Sequence, residues 1–454
     1  MFAASAIPPD VFRICQRLRE AGHAAFVVGG SVRDLLIGRA PGDFDVATSA
    51  HPETTMRIFG ARYAIPTGLD HGTITVLAGK PPAQRHVEVT TFRGEGAYLD
   101  GRHPSCVTFS ATLDEDLTRR DFTMNAIAYD PVSGAIIDPL DGQGDIARKI
   151  VRAVGDPVLR FTEDGLRPMR AVRQAAQLGF ALDPGTQAAI PQTLDSFRKV
   201  SAERIRDELR KLLLAKRPSP GLECMRVTGL LAEVLPEMLP TVGCVQNRFH
   251  KHDVYEHILA TIDAAEPDFI VRMAALLHDL GKPKTQVPRE DAPGEYSFFH
   301  HEQVGAEMAE AICVRLKLSV AQRTAICALV SGHMFFYTPD WTDGTVRRFV
   351  KRAGPDLVPS LFALREADVA SRGQGEDPQR ETRDLRARIA KVAAEDAALH
   401  VTDLAIDGKD VMRVLGISPS RRVGEVLDRL LEKVLDDPKL NDRETLESLV
   451  RALG

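Results

Sequence analysis

The sequence predicts an α+β chain: a mixed head of strands and helices over residues 1–150, then helices alone to the C-terminus. Three observations carry this. Short runs with strand-like alternation, at 26–28, 43–45, 73–79 and 85–93, lie in the first hundred residues. Beyond residue 150 the apolar spacing is helical, with breaks at Pro184, Pro191 and Pro218-Ser219-Pro220. Seven of the thirteen histidines fall between residues 250 and 333, on segments that read as helices. The expected division is a head (1–150), a helical neck and body (151–245), a histidine-rich helical module (246–375) and a helical tail (376–454).

Bulk properties bound the function. The 454 residues are 44% hydrophobic and 27% charged, the balance of a globular protein with two to four domains. No apolar run approaches the roughly 20 residues that span a bilayer, so no membrane partner is expected. The N-terminal MFAASAIPPD lacks a basic region ahead of an apolar one, so no secretory signal is expected. Cysteines 15, 106, 224, 244, 313 and 327 are scattered without CxxC spacing, which reads as reduced thiols in a cytoplasmic protein. The net charge of −5 argues against indiscriminate nucleic-acid binding over the whole surface. Residues 160–217 nevertheless carry 12 Lys/Arg against 7 Asp/Glu, a surplus that suits a phosphate backbone or, equally, a solvated helix face.

In the head, residues 10–22 read as an amphipathic helix with Val11, Ile14, Cys15 and Leu18 on one stripe and Gly22 as its stop. The apolar run Phe26-Val27-Val28 ends in Gly29-Gly30, and Ser31 to Leu36 opens a helix. A glycine turn at a helix start offers backbone N–H groups to a phosphate, with Arg33 one turn on. Asp43-Phe44-Asp45 reads as a strand that puts both carboxylates on one face and Phe44 in the core. Two adjacent carboxylates repel unless a cation neutralises them, and a hard divalent metal does so. A phosphate cradle near a metal-binding pair points to nucleotidyl transfer.

His51-Pro52-Glu53 begins a further helix, and 73–79 and 85–93 alternate like paired strands. Glu88 points opposite to Val87 and Val89, either toward Asp43 and Asp45 as a third carboxylate or to solvent. The polar segment 98–105 reads as a mobile loop. Residues 117–130 then crowd Arg119, Arg120, Asp121 and Asn125 beside a buried face of Phe122, Met124, Ile127 and Ala128. Such groups can bind a triphosphate and ribose hydroxyls, or simply cap a helix.

GGSVRD (29–34), DFD (43–45), RRDFTMNA (119–126), DPLDGQGDI (138–146), EDGLRPMRAVRQAAQLGF (163–180) and SAERIRDELRKLL (201–213) resemble, in order, the motifs of the class II tRNA nucleotidyltransferase and bacterial poly(A) polymerase family. The resemblance covers about the first 215 residues and implies a polymerase-β-like head. It implies Mg²⁺ on Asp43 and Asp45, with Gly29, Gly30 and Arg33 near the nucleotide's phosphates and Arg120, Asp121 and Asn125 near triphosphate and ribose. Asp164 and Arg167, three apart and so expected as neighbours on a helix, offer the acceptor and donor fork that read a Watson–Crick edge. The family uses that pair to accept CTP or ATP, and Arg170 and Arg173 match positions near the bound nucleotide. Pro168 departs from many relatives; it fits a first helical turn, but in mid-helix it would displace Arg170 and Arg173. Ser201 is placed to cap the helix 202–215, whose stripe is Ile205, Leu209, Leu212 and Leu213.

In the third module, helices carry His257, His278-Asp279 (followed by a Gly281 stop), His300-His301, His333 and Asp368. Neutral imidazoles and carboxylates converging from several helices suit a divalent transition metal. The set resembles the HD phosphohydrolase superfamily, with His257, His278, Asp279 and Asp368 at its four ligand positions. His301 and His333 match the extra histidines of two-metal members, with His301 preferred over His300. Hydrolysis of a 2′,3′-cyclic or 3′-terminal phosphate on RNA fits such a site.

Residues 371–381 read as a linker, and the tail beyond as short helices joined by glycine turns at Gly408 and Gly416. Arg421 and Arg422 can touch RNA or belong to a plain helix bundle. The expected function is addition of the 3′-terminal CCA to tRNA from CTP and ATP, in the cytoplasm, with Asp43, Asp45 and Glu88 at the chemistry. The segment around residues 100–102 favours complete addition. Poly(A) polymerase and partial (CC- or A-) addition share the head motifs. A different class, an HD phosphodiesterase with an RNA-binding head, is opposed by the full DxD and EDxxR sets.

Overall fold

The computed structural model describes residues 6–79, 84–94, 109, 112–246, 251–372, 377–394 and 400–453. The loop expected at 98–105 lies outside the described residues. The chain divides into two compact units, Met1–Pro236 and Glu237–Gly454.

The first unit opens with α1 (Pro9–Glu20), which buries Val11, Ile14, Cys15 and Leu18. That stripe packs on a seven-stranded mixed sheet. Its strands are β1 (Ala25–Val28), β2 (Asp45–Thr48), β3 (Ala64–Gly68), β4 (Thr73–Ala78), β5 (Arg85–Thr91), β6 (Ala128–Tyr129) and β7 (Ile136–Ile137), in the order β3-β4-β5-β2-β1-β6-β7. All neighbours are antiparallel except β2 and β5. A parallel pair needs a crossover, and the helix Pro52–Phe59 with the β3–β4 hairpin supplies it. Val27, Val46, Val87 and Val89 form the core face between these strands.

Helices then take over. α2 (Gly30–Leu36) follows β1 directly; of α3 (Pro157–Glu163), α4 (Arg167–Leu178) and α5 (Ala202–Leu213), the middle one packs on both others. Pro168 occupies the first turn of α4, where its missing N–H costs nothing. Ser201 stands at the N-terminus of α5, but its side chain makes no capping hydrogen bond. Leu209, Leu212 and Leu213 are buried, while Ile205 is half-exposed.

Among its described residues the second unit is helical apart from one small hairpin (Gln286–Pro288 with Tyr296–Phe298). Its central helices are α6 (Val254–Ala264), α7 (Phe269–Leu277), α8 (His301–Arg315), α9 (Val320–Gly332) and α10 (Val358–Ser371). The residues after 400 build a separate apolar cluster around Leu430, Leu431, Val434 and Leu446. There Gly416 makes the expected left-handed turn, but Gly408 is the first residue of a helix capped by Asp407. Among the described residues no helix is long and apolar enough to cross a membrane.

Candidate active site and candidate metal centre

The head's candidate site is built around Gly29. Its backbone (φ 78°, ψ −139°) is one that side chains resist, and a Cβ there would stand 3.0 Å from Arg120 Nη1 and 3.7 Å from Asp45 Oδ2. The missing side chain is what lets a guanidinium, a carboxylate and the turn meet. Arg120 is held in place by Asp116, whose Oδ2 accepts from Nη2 at 3.0 Å while its Oδ1 accepts from Arg119. Burial alone would raise the Asp116 carboxyl, but Arg120 and Arg119 hold it below its ordinary value.

Of the two aspartates, only Asp45 is in the strand. β2 begins there, so the strand expected to carry Asp43, Phe44 and Asp45 together is shorter at its start. Phe44 is buried as expected, and Asp43 precedes the strand, exposed. Glu88 faces Asp45 in register across the parallel β2–β5 pair. Burial, reinforced by Glu88 and Asp43 against the pull of Arg120, raises the Asp45 carboxyl to about 6. This all-oxygen set, three carboxylates against the one guanidinium of Arg120, fits a hard divalent cation. A consequence can be measured. Because the folded pKa lies above the unfolded one, Asp45 contributes stability that is present below about pH 4 and lost as pH rises through about 6. A cation replaces the proton, so the Mg²⁺-dependent rise in Tm should be small near about pH 5 and grow toward about pH 7.5.

Arg33 curls back over Gly30 and is fully engaged. Its Nε and Nη2 donate to Asp34 Oδ1, and its Nη1 donates to Asn125 Oδ1 (2.8 Å) and Gln174 Oε1 (3.0 Å). Asn125 Nδ2 donates in turn to Gln174 Oε1 (3.1 Å) and Asp121 Oδ1 (3.0 Å). Asp121 Oδ2 accepts from Arg170 Nε and Nη2 at 2.9 and 2.6 Å. Burial opposes the charge on Asp121, yet Arg170 and Asn125 hold its carboxyl well below the usual range. Arg173 completes the line by pairing with Glu208 of α5. The network joins the glycine turn of the head to α4 of the neck. Residues 119–125 are not one helix: a helix ends at Thr118, Phe122 is extended and Thr123–Asn125 is a single 3₁₀ turn. That irregular path is what aims Asp121 and Asn125 at α4.

Asp164 and Arg167 are not neighbours on one helix. α3 ends at Glu163, Asp164 is extended (φ −135°, ψ 105°), and α4 starts at Arg167. The cause is Gly165, where a Cβ would lie 2.2 Å from the Ser196 carbonyl oxygen; only glycine permits this backbone-on-backbone approach. Asp164 accepts from Arg204 Nη2 (2.8 Å). Arg167, buried, donates to Glu163 Oε2 (2.6 Å) and the Arg160 carbonyl (2.7 Å). The two side chains are thus held separately on either side of a break.

In the second unit two groups have ligand atoms mutually within 4.8 Å: His257, His278 and Asp368, and Asp279, His301 and His333. All six are buried. Asp43, Asp45 and Glu88 do not form such a group. His300 is the left-handed residue (φ 62°) before α8, and His301, at the first helical position, is the one turned inward. The imidazole tautomers follow from their partners. Nδ1 of His278, His301 and His333 lies 2.8, 2.7 and 2.6 Å from the carbonyls of Ala275, Phe298 and Val330. Nδ1 of His257 lies 3.0 Å from Ser371 Oγ, which itself donates to the Asp368 carbonyl. In the neutral ring each Nδ1 therefore carries the hydrogen, and Nε2 is left as the atom that can ligate.

These atoms converge. Nε2 of His257 and His278 are 3.3 Å apart, as are those of His301 and His333. Asp279 lies between the groups, with Oδ2 3.2 Å from His278 Nε2 and Oδ1 3.4 Å from His301 Nε2. Burial lowers His257 and His301 and depresses His333 to about 3, whereas His278, despite its burial, is raised by Asp279 and Asp368. Imidazole nitrogens facing one another and carboxylate oxygens repel unless cations lie between, so this donor set fits divalent metal, which these six residues would hold. Gly281 is not a helix stop: its φ is −73°, and a Cβ would lie 2.2 Å from the His301 carbonyl oxygen. The glycine lets α8 dock against the His278-Asp279 turn. Lys282, also buried, lies 2.6 Å from Asp279 Oδ2 and donates to Gln246.

Sequence reading singled out none of Asp116, Glu163, Gln174, Arg204, Glu208, Ser371 or Lys282 for the site. Gln174 carried a usable signal, a polar residue on the stripe of α4 that buries Ala171 and Val172; it is 2% exposed. Gln174→Ala removes the acceptor shared by Arg33 and Asn125, at a cost of about 1–3 kcal/mol. A raised KM for nucleoside triphosphates in steady-state assays should accompany it.

Comparison with known proteins agrees with this architecture. Residues 25–152 match the Poly A polymerase head domain, 179–241 a probable RNA and SrmB-binding site of polymerase A, and 253–397 the HD domain. The chain is 47% identical to a Lactobacillus johnsonii CCA-adding enzyme over 230 residues, 50% of this chain and 56% of that protein, so the match spans little more than half of that relative. It is 35% identical to a Deinococcus radiodurans A-adding tRNA nucleotidyltransferase over 90% of this chain and 91% of that one. Among solved structures, the Bacillus stearothermophilus CCA-adding enzyme in complex with CTP superposes with a TM-score of 0.73 at 31% identity, covering 98% of both chains. The chain belongs to the tRNA nucleotidyltransferase and poly(A) polymerase family, in the form that carries an HD domain.

Proposed function

We propose that the chain adds the 3′-terminal CCA to tRNA from CTP and ATP, in the cytoplasm. In each step the RNA 3′-oxygen bonds to the α-phosphorus, the bond to the β-phosphate oxygen breaks, pyrophosphate leaves, and the hydroxyl proton passes to solvent. The observation that carries this reading is the hydrogen-bonded line Arg33–Asn125–Asp121–Arg170, which ties the glycine turn to α4. Asp43, Asp45 and Glu88 would hold Mg²⁺, which would supply charge stabilisation and a more acidic RNA hydroxyl. Gly29, Gly30, Arg33 and Arg120 take the phosphates. Asp121 and Asn125 orient the ribose side. Asp164 and Arg167 read the base edge, exchanging their partners Arg204 and Glu163 for the nucleotide, and Arg170 and Arg173 stand near the bound nucleotide. The parts are a head (1–150), a neck and body (151–245), an HD domain (246–375) and a tail (376–454).

A second activity is proposed for the HD domain: hydrolysis of 2′,3′-cyclic or 3′-terminal phosphate on RNA ends. Water adds to phosphorus, the P–O bond breaks, and the ribose oxygen leaves with a proton. His257, His278, Asp279, His301, His333 and Asp368 would hold divalent transition metals, which supply Lewis acidity.

The deciding test uses tRNAs ending without CCA, in C and in CC, with CTP and ATP given separately and together. Addition that stops at CCA supports the reading. Addition of A alone to tRNA ending in CC, with CTP ignored, would assign instead the activity named for the Deinococcus relative. Long A tails would make the chain a poly(A) polymerase.

A further inference from the structure

The two most exposed aromatic side chains among the described residues are Phe299 (72%) and Phe336 (75%). Each lies within three residues of a metal-centre histidine, Phe299 before His301 and Phe336 after His333. Met334, 56% exposed, sits between His333 and Phe336. Leaving side chains of this size in water forgoes the gain of burying them on folding, and here that occurs on two separate segments beside one site. Phe299 and Met334 line the same cleft of about 360 Å³ as Asp279, His301, Lys282 and Arg372.

The cleft is graded in chemistry. At its floor are the metal-centre carboxylates and imidazoles. Beside them stand two cations: Lys282 against Asp279, and Arg372, whose Nη2 donates to Asp368 at 2.8 Å. The buried Nε of Arg372 has no acceptor among the described residues. The exposed edge of the cleft is apolar, formed by Phe299 and Met334. A phosphate at the floor and an aromatic plane at the mouth are the two ends of a nucleotide; stacking on such a face accepts any base.

We propose that Phe299 and Met334 form a nucleobase-stacking wall, so that the HD cleft takes the terminal nucleotide of a phosphorylated RNA 3′ end in preference to a plain phosphate ester. This rests on the phosphohydrolase reading of the cleft.

The test uses the full-length, metal-loaded protein with adenosine 3′-monophosphate and glycerol 2-phosphate, two monoesters of secondary alcohols that differ in the base. Wild type should favour the nucleotide, and Phe299→Ala should lower the ratio of the two kcat/KM values about tenfold, through KM. Phe299→Trp should keep the ratio. Its fluorescence, corrected for Trp341 with wild type, should be quenched by adenosine monophosphate and not by ribose 5-phosphate. Base-dependent quenching without hydrolysis of either ester would overturn the hydrolase reading and keep the wall. Hydrolysis with an unchanged ratio in Phe299→Ala, or no base-dependent quenching in Phe299→Trp, would overturn the wall.

Discussion

Asp43→Ala is expected to lower kcat/KM for nucleotide addition by at least about a thousandfold, the loss of several kcal/mol of transition-state charge stabilisation. The position makes this a clean experiment. Asp43 is exposed and precedes β2, so the sheet does not depend on it, whereas Asp45 sits against Gly29 and Arg120. The melting temperature should stay close to wild type, and phosphate release by the HD domain should be untouched. Radiolabelled CTP and ATP incorporation checks the first expectation, and thermal unfolding with a phosphatase assay checks the others. An active Asp43→Ala enzyme would remove that residue from the cation set and leave Asp45 and Glu88 to hold it.

The mirror experiment is in the second unit. Asp279→Ala removes the carboxylate that faces both histidine groups and leaves Lys282 buried without its anion. Breaking a buried charge pair in this way costs about 3–5 kcal/mol, so a lower Tm is expected as well as loss of bound metal. His278→Ala is the milder companion, removing one imidazole while Lys282 keeps its partner. Metal analysis of the purified proteins should show reduced content in both. CCA addition should persist in His278→Ala. Loss of addition and hydrolysis together in that variant would argue against two separate chemistries.

How far the sequence could be read depended on the range of each interaction. Alternation placed Glu88 on the face opposite Val87 and Val89, and that face is the one in register with Asp45. The histidine-rich set was legible because the residue types themselves carry the signal, imidazoles and carboxylates on segments that read as helices, and the structure brings six of them into two groups. The register around Asp164 was not legible. Its helix break comes from Gly165 meeting the backbone of Ser196, a contact that leaves no pattern near residue 165 except the glycine itself. For the same reason the partners Arg204, Glu208 and Gln174 escaped notice. Their bonds join residues 35 to 141 positions apart, and nothing in either local stretch announces the other. Gly281 shows the opposite error: a glycine after a helix invited a local explanation, and the reason was a distant carbonyl.

The imidazoles of His278 and His333 lean on carbonyls in the last turns of α7 and α9, groups a helix end normally leaves to water. Ends of this kind fray, and their amides exchange with solvent. Here the same ring that stops the fraying also faces the metal centre, so filling the centre pulls two helix ends taut. Metal loading should therefore be visible in deuterium uptake: slower exchange in the final turns of α7 and α9, and little change in the first unit.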